Sequence, residues 1–232
     1  MESKEITVCL TSCGRWDLLE ITIKSLVQFW DGPPPKELLI YEDQDLSVEQ
    51  FNIQFGIVSE CLGSTKWAFT IYHGKKGQIP AIDFLFSKVE TPYIFSTEDD
   101  WTTTKSGFIQ KSLAILEEKP IISQVWIRNP DDRNGHPAIG HVQTTSDGVK
   151  YQLMKTGYRG VWHGHSWNPG LRRVSDYKKI FPKGMYQSIH WSPSNPLQAE
   201  QLVGKHYLRY GFRAATLLEG YCVHIGINRH VK

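Results

Sequence analysis

The chain has 232 residues, 40% of them hydrophobic, and sets 26 Lys plus Arg against 24 Asp plus Glu for a formal net charge of +2. That is ordinary globular composition, and a chain of this length buries roughly 70% or more of the surface its unfolded form exposes. No block of Lys and Arg forms a nucleic-acid-binding arm and no window approaches about 18 apolar residues, so neither nucleic acid nor a transmembrane segment is expected.

In chain order, residues 5–11 (EITVCLT) read as a strand, and residues 16–29 (WDLLEITIKSLVQF) place Trp16, Leu19, Ile23, Leu26 and Val27 at helical spacing. The glycine and three prolines of DGPPP stop that helix. A strand at 37–42 (ELLIYE), a helix near 47–60, a strand at 67–72, a helix near 80–88 and a strand at 93–97 follow. Such apolar strands separated by helices predict a mostly parallel sheet covered on both faces, with ligands bound beyond the carboxyl ends of the strands. After a helix near 105–118 and a strand at 121–128 the texture changes. Residues 129–150 read as loops or short hairpins, and residues 157–196, crowded with Trp, His, Tyr, Gly and Pro, read as a lid or substrate wall. A helix at about 198–210 and short strands near 213–224 complete the chain. The expectation is one α/β domain over 1–232, with a nucleotide-binding half at 1–128 and an acceptor-binding, catalytic half at 129–232.

The most informative stretch is PYIFSTEDDW, which ends an apolar strand on Glu98, Asp99 and Asp100. Adjacent carboxylates repel unless they diverge, meet solvent or share a cation. Carboxylate oxygens suit Mg2+ or Mn2+, with a bound diphosphate supplying further ligands. In an extended segment Glu98 and Asp100 share a face and Asp99 takes the other. Asp100 is then the direct ligand and Glu98 reaches the cation through water or the nucleotide, with Asp99 counted among the nucleotide-side residues. The competing reading is an acidic helix N-terminus ahead of TTTKSGF.

Around those acids, Thr11, Arg15, Glu42 and Asp43 are candidates to bracket a base and ribose, and GKKGQ offers Lys76 and Gln78 to phosphates. An exposed arginine at a helix start is the alternative for Arg15. Neither a Walker loop nor a dinucleotide fingerprint occurs. Lys75-Lys76 and Arg172-Arg173 read either as solvated pairs or as phosphate contacts. In the second half, Glu200 at a helix start is either a favourable N-terminal acid or a group that accepts a proton from an attacking hydroxyl. Trp162, Trp167 and Trp191, with Asn168 and Arg172 of SWNPGLRR, are candidate sugar or acceptor contacts, core filling being the alternative for each Trp. His224 ends the short apolar strand YCV and is the best placed of the histidines to enter a site. His163 and His165 have no zinc-site spacing around them. Cys9, Cys13, Cys61 and Cys222 have no paired spacing, and the apolar run at the N-terminus is too short for a secretory core. A soluble, cytoplasmic protein is the expectation.

These pieces resemble the glycosyltransferase A fold, in particular its inverting family 2 type. ITVCLTSCGRWDLLEITIKSL is similar to that family's first strand and helix, LLIYEDQD to its second-strand end, and FSTEDDW to its metal-binding acid motif. AEQLVGKHYLRYGFRAATLLEGYCVHIG is similar to the segment running from the acceptor-side acid to a final histidine. SQVWIRNP, SWNPGLRR and GYCVHIGINRH resemble a soluble branch of these enzymes in bacteria and in large viruses of algae. The resemblance implies a metal-dependent transferase using a nucleoside-diphosphate sugar, UDP-sugar favoured, and a glycan acceptor. It also implies Glu200 as base, His224 as a metal or diphosphate contact, and neighbouring glycosyltransferase domains or proteins as partners. A single acid, Glu200, stands where the family carries a pair, and QxxRW is absent, which points to transfer of one sugar. The rival readings are a nucleotidyltransferase, which would need a Gly-rich loop where TSCGRW stands, and a non-catalytic carbohydrate-binding module.

Overall fold

The computed structural model describes residues 4–63, 65–133, 135–189 and 196–227. Its elements are β1 (Ile6–Ser12), α1 (Trp16–Phe29), β2 (Glu37–Glu42), α2 (Val48–Leu62), β3 (Ala68–His73), α3 (Gln78–Lys88), β4 (Tyr93–Glu98), β5 (Trp101–Thr103), α4 (Phe108–Glu118) and β6 (Ile122–Trp126). Then come β7 (Gln143–Thr144), β8 (Lys150–Leu153), β9 (Gly170–Arg173), α5 (Val174–Ile180), α6 (Met185–Ser188), α7 (Pro196–Arg209), β10 (Arg213–Leu217) and β11 (Cys222–His224).

Nine strands form one sheet in the order β3-β2-β1-β4-β9-β6-β10-β8-β7, and β11 pairs with β5 in a second, two-stranded sheet. β3, β2, β1 and β4 run parallel, as do β6 and β10. The antiparallel members are β9, between β4 and β6, and the β8–β7 edge. Alternation along β1 explains the two cores: Ile6, Val8 and Leu10 pack with α1, α2 and α4, while Cys9 faces α3, α5 and α7. Ser47 caps α2, accepting from Gln50 N–H while the Gln50 side chain accepts from Ser47 N–H.

The first half follows its periodicity, and the expected mostly parallel α/β sheet with a small antiparallel part is what forms. The second half differs from expectation at β9. GLRR looks like a surface loop, yet it is a central strand, and its two arginines lie on opposite faces. Arg172 is 3% exposed and donates through Nη2 to the Ser166 carbonyl. Arg173 donates to the carbonyls of Leu116, Pro120 and Ile122 around the end of α4 and pairs with Asp176 at 2.9 Å. Gly170 opens the strand because a Cβ there would lie 2.4 Å from the Val125 carbonyl oxygen. Gly170→Ala is therefore expected to cost about 1–3 kcal/mol by overpacking and to lower the thermal midpoint by several degrees. An unchanged melt would show that β9 and β6 can separate freely.

His165 is buried, stacked on Tyr207 at 5.2 Å and meeting Trp167 edge-on at 4.6 Å. Burial, with the nearby Arg172 charge, holds its imidazole well below the ordinary value of 6.5. The unfolded chain takes up that proton as pH falls through about 6.5 and the folded protein refuses it, so this group destabilises the fold increasingly below that pH. In His165→Gln the loss of melting temperature between pH 7.5 and 5.5 is expected to shrink; an equal loss in both proteins would contradict the assignment.

Candidate active site

The carboxyl ends of β1, β2 and β4 deliver their following loops to one sheet edge. At the end of β2, Glu42 is fully buried and accepts four hydrogen bonds: Ser12 Oγ at 2.9 Å, Gly14 N–H at 2.7 Å, Trp16 Nε1 at 3.1 Å and Gln54 Nε2 at 2.9 Å. Burial raises its carboxyl, and the bonds from Ser12, Trp16 and Gly14 oppose that rise. Glu42 thus fixes the turn from β1 into α1. Asp43 accepts from the N–H groups of Lys76 and Gly77 at 2.7 and 2.8 Å and shapes the 74–77 loop. The exposed Lys76 lays its ammonium 4.7 Å from the Phe84 ring centroid.

Glu98 ends β4 and Asp99 and Asp100 form the turn into β5, and α4 begins only at Phe108 behind Gly107, so the acids do not cap a helix. The turn also cancels simple strand alternation: Asp99 and Asp100 both reach Arg15. The guanidinium donates to Asp99 through Nη2 and Nε and to Asp100 Oδ2 through Nη1 at 2.7 Å. Arg15 is therefore a half-buried clamp rather than an exposed helix-start residue. Asp99 is fully buried and also accepts from Cys13 N–H at 3.1 Å, with Ser12 Oγ, whose one hydrogen is shared with the nearer Glu42, at 3.2 Å.

Asp100 Oδ2 also lies 3.1 Å from His224 Nε2, brought across by the β5–β11 pairing of Trp101 with His224. Burial alone would raise the Asp100 carboxyl, but the hydrogen bonds and charges of His224 and Arg15 outweigh it and hold the group low. The hydrogen bond to Asp100 correspondingly raises His224. Gly226 makes room for this pair, since a Cβ there would meet Asp100 Oδ2 at 2.3 Å. Asp100 Oδ1 is buried and has no hydrogen-bond partner among the described residues. Glu98 accepts from the Gln78 side-chain amide and from Trp101 Nε1 at 3.3 Å. Burial, then the Asp100 charge, pushes Glu98 up to about 7.

Among the described residues no group of three or more His, Cys, Asp or Glu side chains is arranged to hold a metal ion. The donor set still suits one class of cation site. A hard divalent ion accepts one or two carboxylates when substrate phosphates supply further ligands, and Asp100 Oδ1 is a buried carboxylate oxygen with no hydrogen-bond partner among the described residues.

Glu200 lies in the second turn of α7, and Oε1 accepts from Trp167 N–H at 2.8 Å and Ser166 Oγ at 3.0 Å. Its charge is felt at Glu98. Burial raises its carboxyl against those two hydrogen bonds and the charges of Arg172 and Arg128. Thr11, Glu98, Trp167 and Arg172 share the wall of a small cavity beneath the acids.

The chain matches no protein-family profile and no curated protein sequence. Solved structures do match. S. aureus TarS (residues 1–349) in complex with UDP-GlcNAc aligns at TM-score 0.63 and 12% identity, over 98% of this chain and 62% of that one. The mannosyltransferase PcManGT from Pyrobaculum calidifontis, in complex with GDP-Man and Mn2+, aligns at TM-score 0.62 and 11% identity, over 97% and 58% respectively. The fold is glycosyltransferase A-like. This chain spans less than two thirds of each of these solved chains, and only 36% of a longer S. aureus TarS structure.

Within this glycosyltransferase A-like fold, Arg15, Glu98, Asp99, Asp100 and His224 come together. Glu42 and Asp43 sit beside them as loop supports, and Asn168 bonds to Ser166. Trp162 lies elsewhere: it is 2% exposed in a separate core with Trp126 and Met154 and stacks on His136 at 4.0 Å. Its ring is covered by protein, so core filling describes it. Trp167 is also buried, and Trp191 lies outside the described residues. Ser166 and Gln124 were not legible as site residues, because a lone Ser beside Trp and a Gln inside an apolar strand carry no motif. Among the described residues no helix is long and apolar enough to cross a membrane.

Proposed function

We propose that this protein transfers one sugar from a nucleoside-diphosphate sugar, a UDP-sugar first among the candidates, to a hydroxyl of a glycan, with inversion at the anomeric carbon. The observation that carries the reading is Asp100, a buried carboxylate with one oxygen unpartnered among the described residues, on the sheet edge that also holds Arg15 and Glu98, where the Glu200 charge is felt. The likeness of fold to structures holding UDP-GlcNAc and GDP-Man with Mn2+ supports it. The inverting family 2 assignment, and the branch in bacteria and algal viruses, are supported by the sequence motifs alone. The unpaired Cys9, Cys13, Cys61 and Cys222 suit a reducing, cytoplasmic setting.

Asp100 would hold Mn2+ or Mg2+ through Oδ1, with His224 keeping Oδ2 in place. The cation would neutralise charge gathering on the departing nucleoside diphosphate. Arg15 keeps Asp99 and Asp100 together against their mutual repulsion and adds positive field at the diphosphate. Lys76 of the 74–77 loop and Gln78 at the start of α3 are the further phosphate-side groups, and Asp43 and Thr11 the nucleoside-side groups. Glu98, its carboxyl pushed up to about 7 by burial and then by the Asp100 charge, belongs to the same acid cluster on the nucleotide side. Glu200 Oε2 takes the proton of the acceptor hydroxyl as its oxygen bonds to the anomeric carbon and the bond from that carbon to the diphosphate oxygen breaks.

Incubation with UDP-, GDP- and dTDP-sugars, Mn2+ and a panel of free glycans tests the reading. Nucleoside diphosphate is expected to be released from one donor class, faster when the right glycan is added. Release indifferent to every acceptor would make the protein a hydrolase, and no release from any donor would overturn the proposal.

A further inference from the structure

The two oxygens of Glu200 are not equivalent, and the difference originates two bonds away. Ser166 Oγ accepts from the backbone N–H of Asn168 at 3.2 Å and from the Asn168 side-chain amide. A hydroxyl has two acceptor lone pairs and one hydrogen. With both lone pairs taken, that hydrogen points to Glu200 Oε1, 3.0 Å away. Trp167 N–H donates to the same oxygen at 2.8 Å, while Oε2 takes no hydrogen bond among the described residues.

The turn that carries these donors is fastened to the middle of the sheet. The Ser166 carbonyl accepts from Gln124 Nε2 at 2.8 Å and from Arg172 Nη2, and Ser166 N–H donates to Gln124 Oε1 at 3.3 Å. Gln124 and Arg172 are paired neighbours in β6 and β9. Ser166 itself is 1% exposed. The donor geometry at Glu200 is thus inherited from the sheet and does not depend on a mobile side chain.

We propose that Ser166, its hydroxyl oriented by Asn168, is a positioning residue for Glu200: it occupies Oε1 and leaves Oε2 as the single oxygen presented to an acceptor hydroxyl. This rests on the reading of Glu200 as the base. Asn168 and Arg172 then act behind the base rather than on the substrate. Hydrogen bonds to the ionised form favour it, so the same contacts keep Glu200 anionic in a buried setting. Arg172 and Arg128 act in the same direction, and Glu98 in the opposite one.

The test uses the full chain labelled with 13C-glutamate, the Glu200 signal being assigned by its loss in Glu200→Gln, and follows its titration by NMR. Ser166→Ala is expected to raise the Glu200 midpoint by about one pH unit, the worth of one charge-assisted hydrogen bond. Asn168→Ala, which frees one lone pair, raises it by less and carries the comparison if the first variant does not fold. Ser166→Thr keeps the wild-type midpoint. In turnover, Ser166→Ala lowers kcat about tenfold at unchanged donor KM, and Ser166→Thr restores it. Wild-type midpoints in both alanine variants would overturn the proposal. The titration needs no substrate, so absence of transfer by the wild type would count against the assigned reaction alone.

Discussion

Glu200→Gln is expected to bind the donor nucleotide as the wild type does and to transfer sugar at least about 100-fold more slowly, the usual worth of a positioned general base. The amide is close to isosteric and its oxygen can still accept from Trp167 N–H and Ser166 Oγ, so α7 and the 166–168 turn should keep their places. What it lacks is basicity at the second position, now an NH2 group that cannot take the acceptor proton. Steady-state kinetics with saturating donor, beside calorimetric donor binding, separate the two effects. Undiminished transfer by the glutamine variant would remove Glu200 from the base role.

The second large effect is expected at Asp100. Asp100→Asn retains shape but places a neutral group between Arg15 and His224, both of which bond to Oδ2. Mn2+-dependent donor affinity should fall by two orders of magnitude or more, because the buried anionic oxygen offered to the cation is gone. The loss of a buried ion-pair partner also costs stability, by about 3–5 kcal/mol where the remaining charge stays uncompensated. Here Arg15 keeps Asp99, so the loss should be smaller than that. A circular-dichroism melt shows whether the variant is folded under assay conditions. A folded variant with unaltered Mn2+-dependent binding would exclude Asp100 as the cation ligand.

The contrast between the halves of the chain explains what could be read in advance. β1, β2 and β4 are buried on both faces, so their apolar runs declare themselves, with DGPPP and GKKGQ as breaks between elements. The acid triplet was visible because three adjacent carboxylates at a strand end demand a reason. Their individual roles were not, since the turn at Asp99 and Asp100 breaks the alternation that a strand would impose. Arg15 looked ambiguous because its partners lie more than eighty residues away. β9 was hidden by its arginines: local composition gives no sign that Leu116, Pro120, Ile122 and Ser166 will supply carbonyls to them. Trp162 illustrates the same limit from the other side. A Trp in a loop-rich segment suits a sugar wall and a small core equally well, and only its packing against Trp126 and His136 decides.

Calorimetric titration of the purified protein with UDP, GDP and dTDP, each with and without Mn2+, tests the central claim most directly. The account predicts micromolar binding of one of the three that requires Mn2+, and that nucleotide names the donor class. Failure of all three to bind, with Mn2+ or without it, would contradict a nucleotide-sugar site at Asp100 and leave the clustered acids to be explained by their clamp on Arg15 alone.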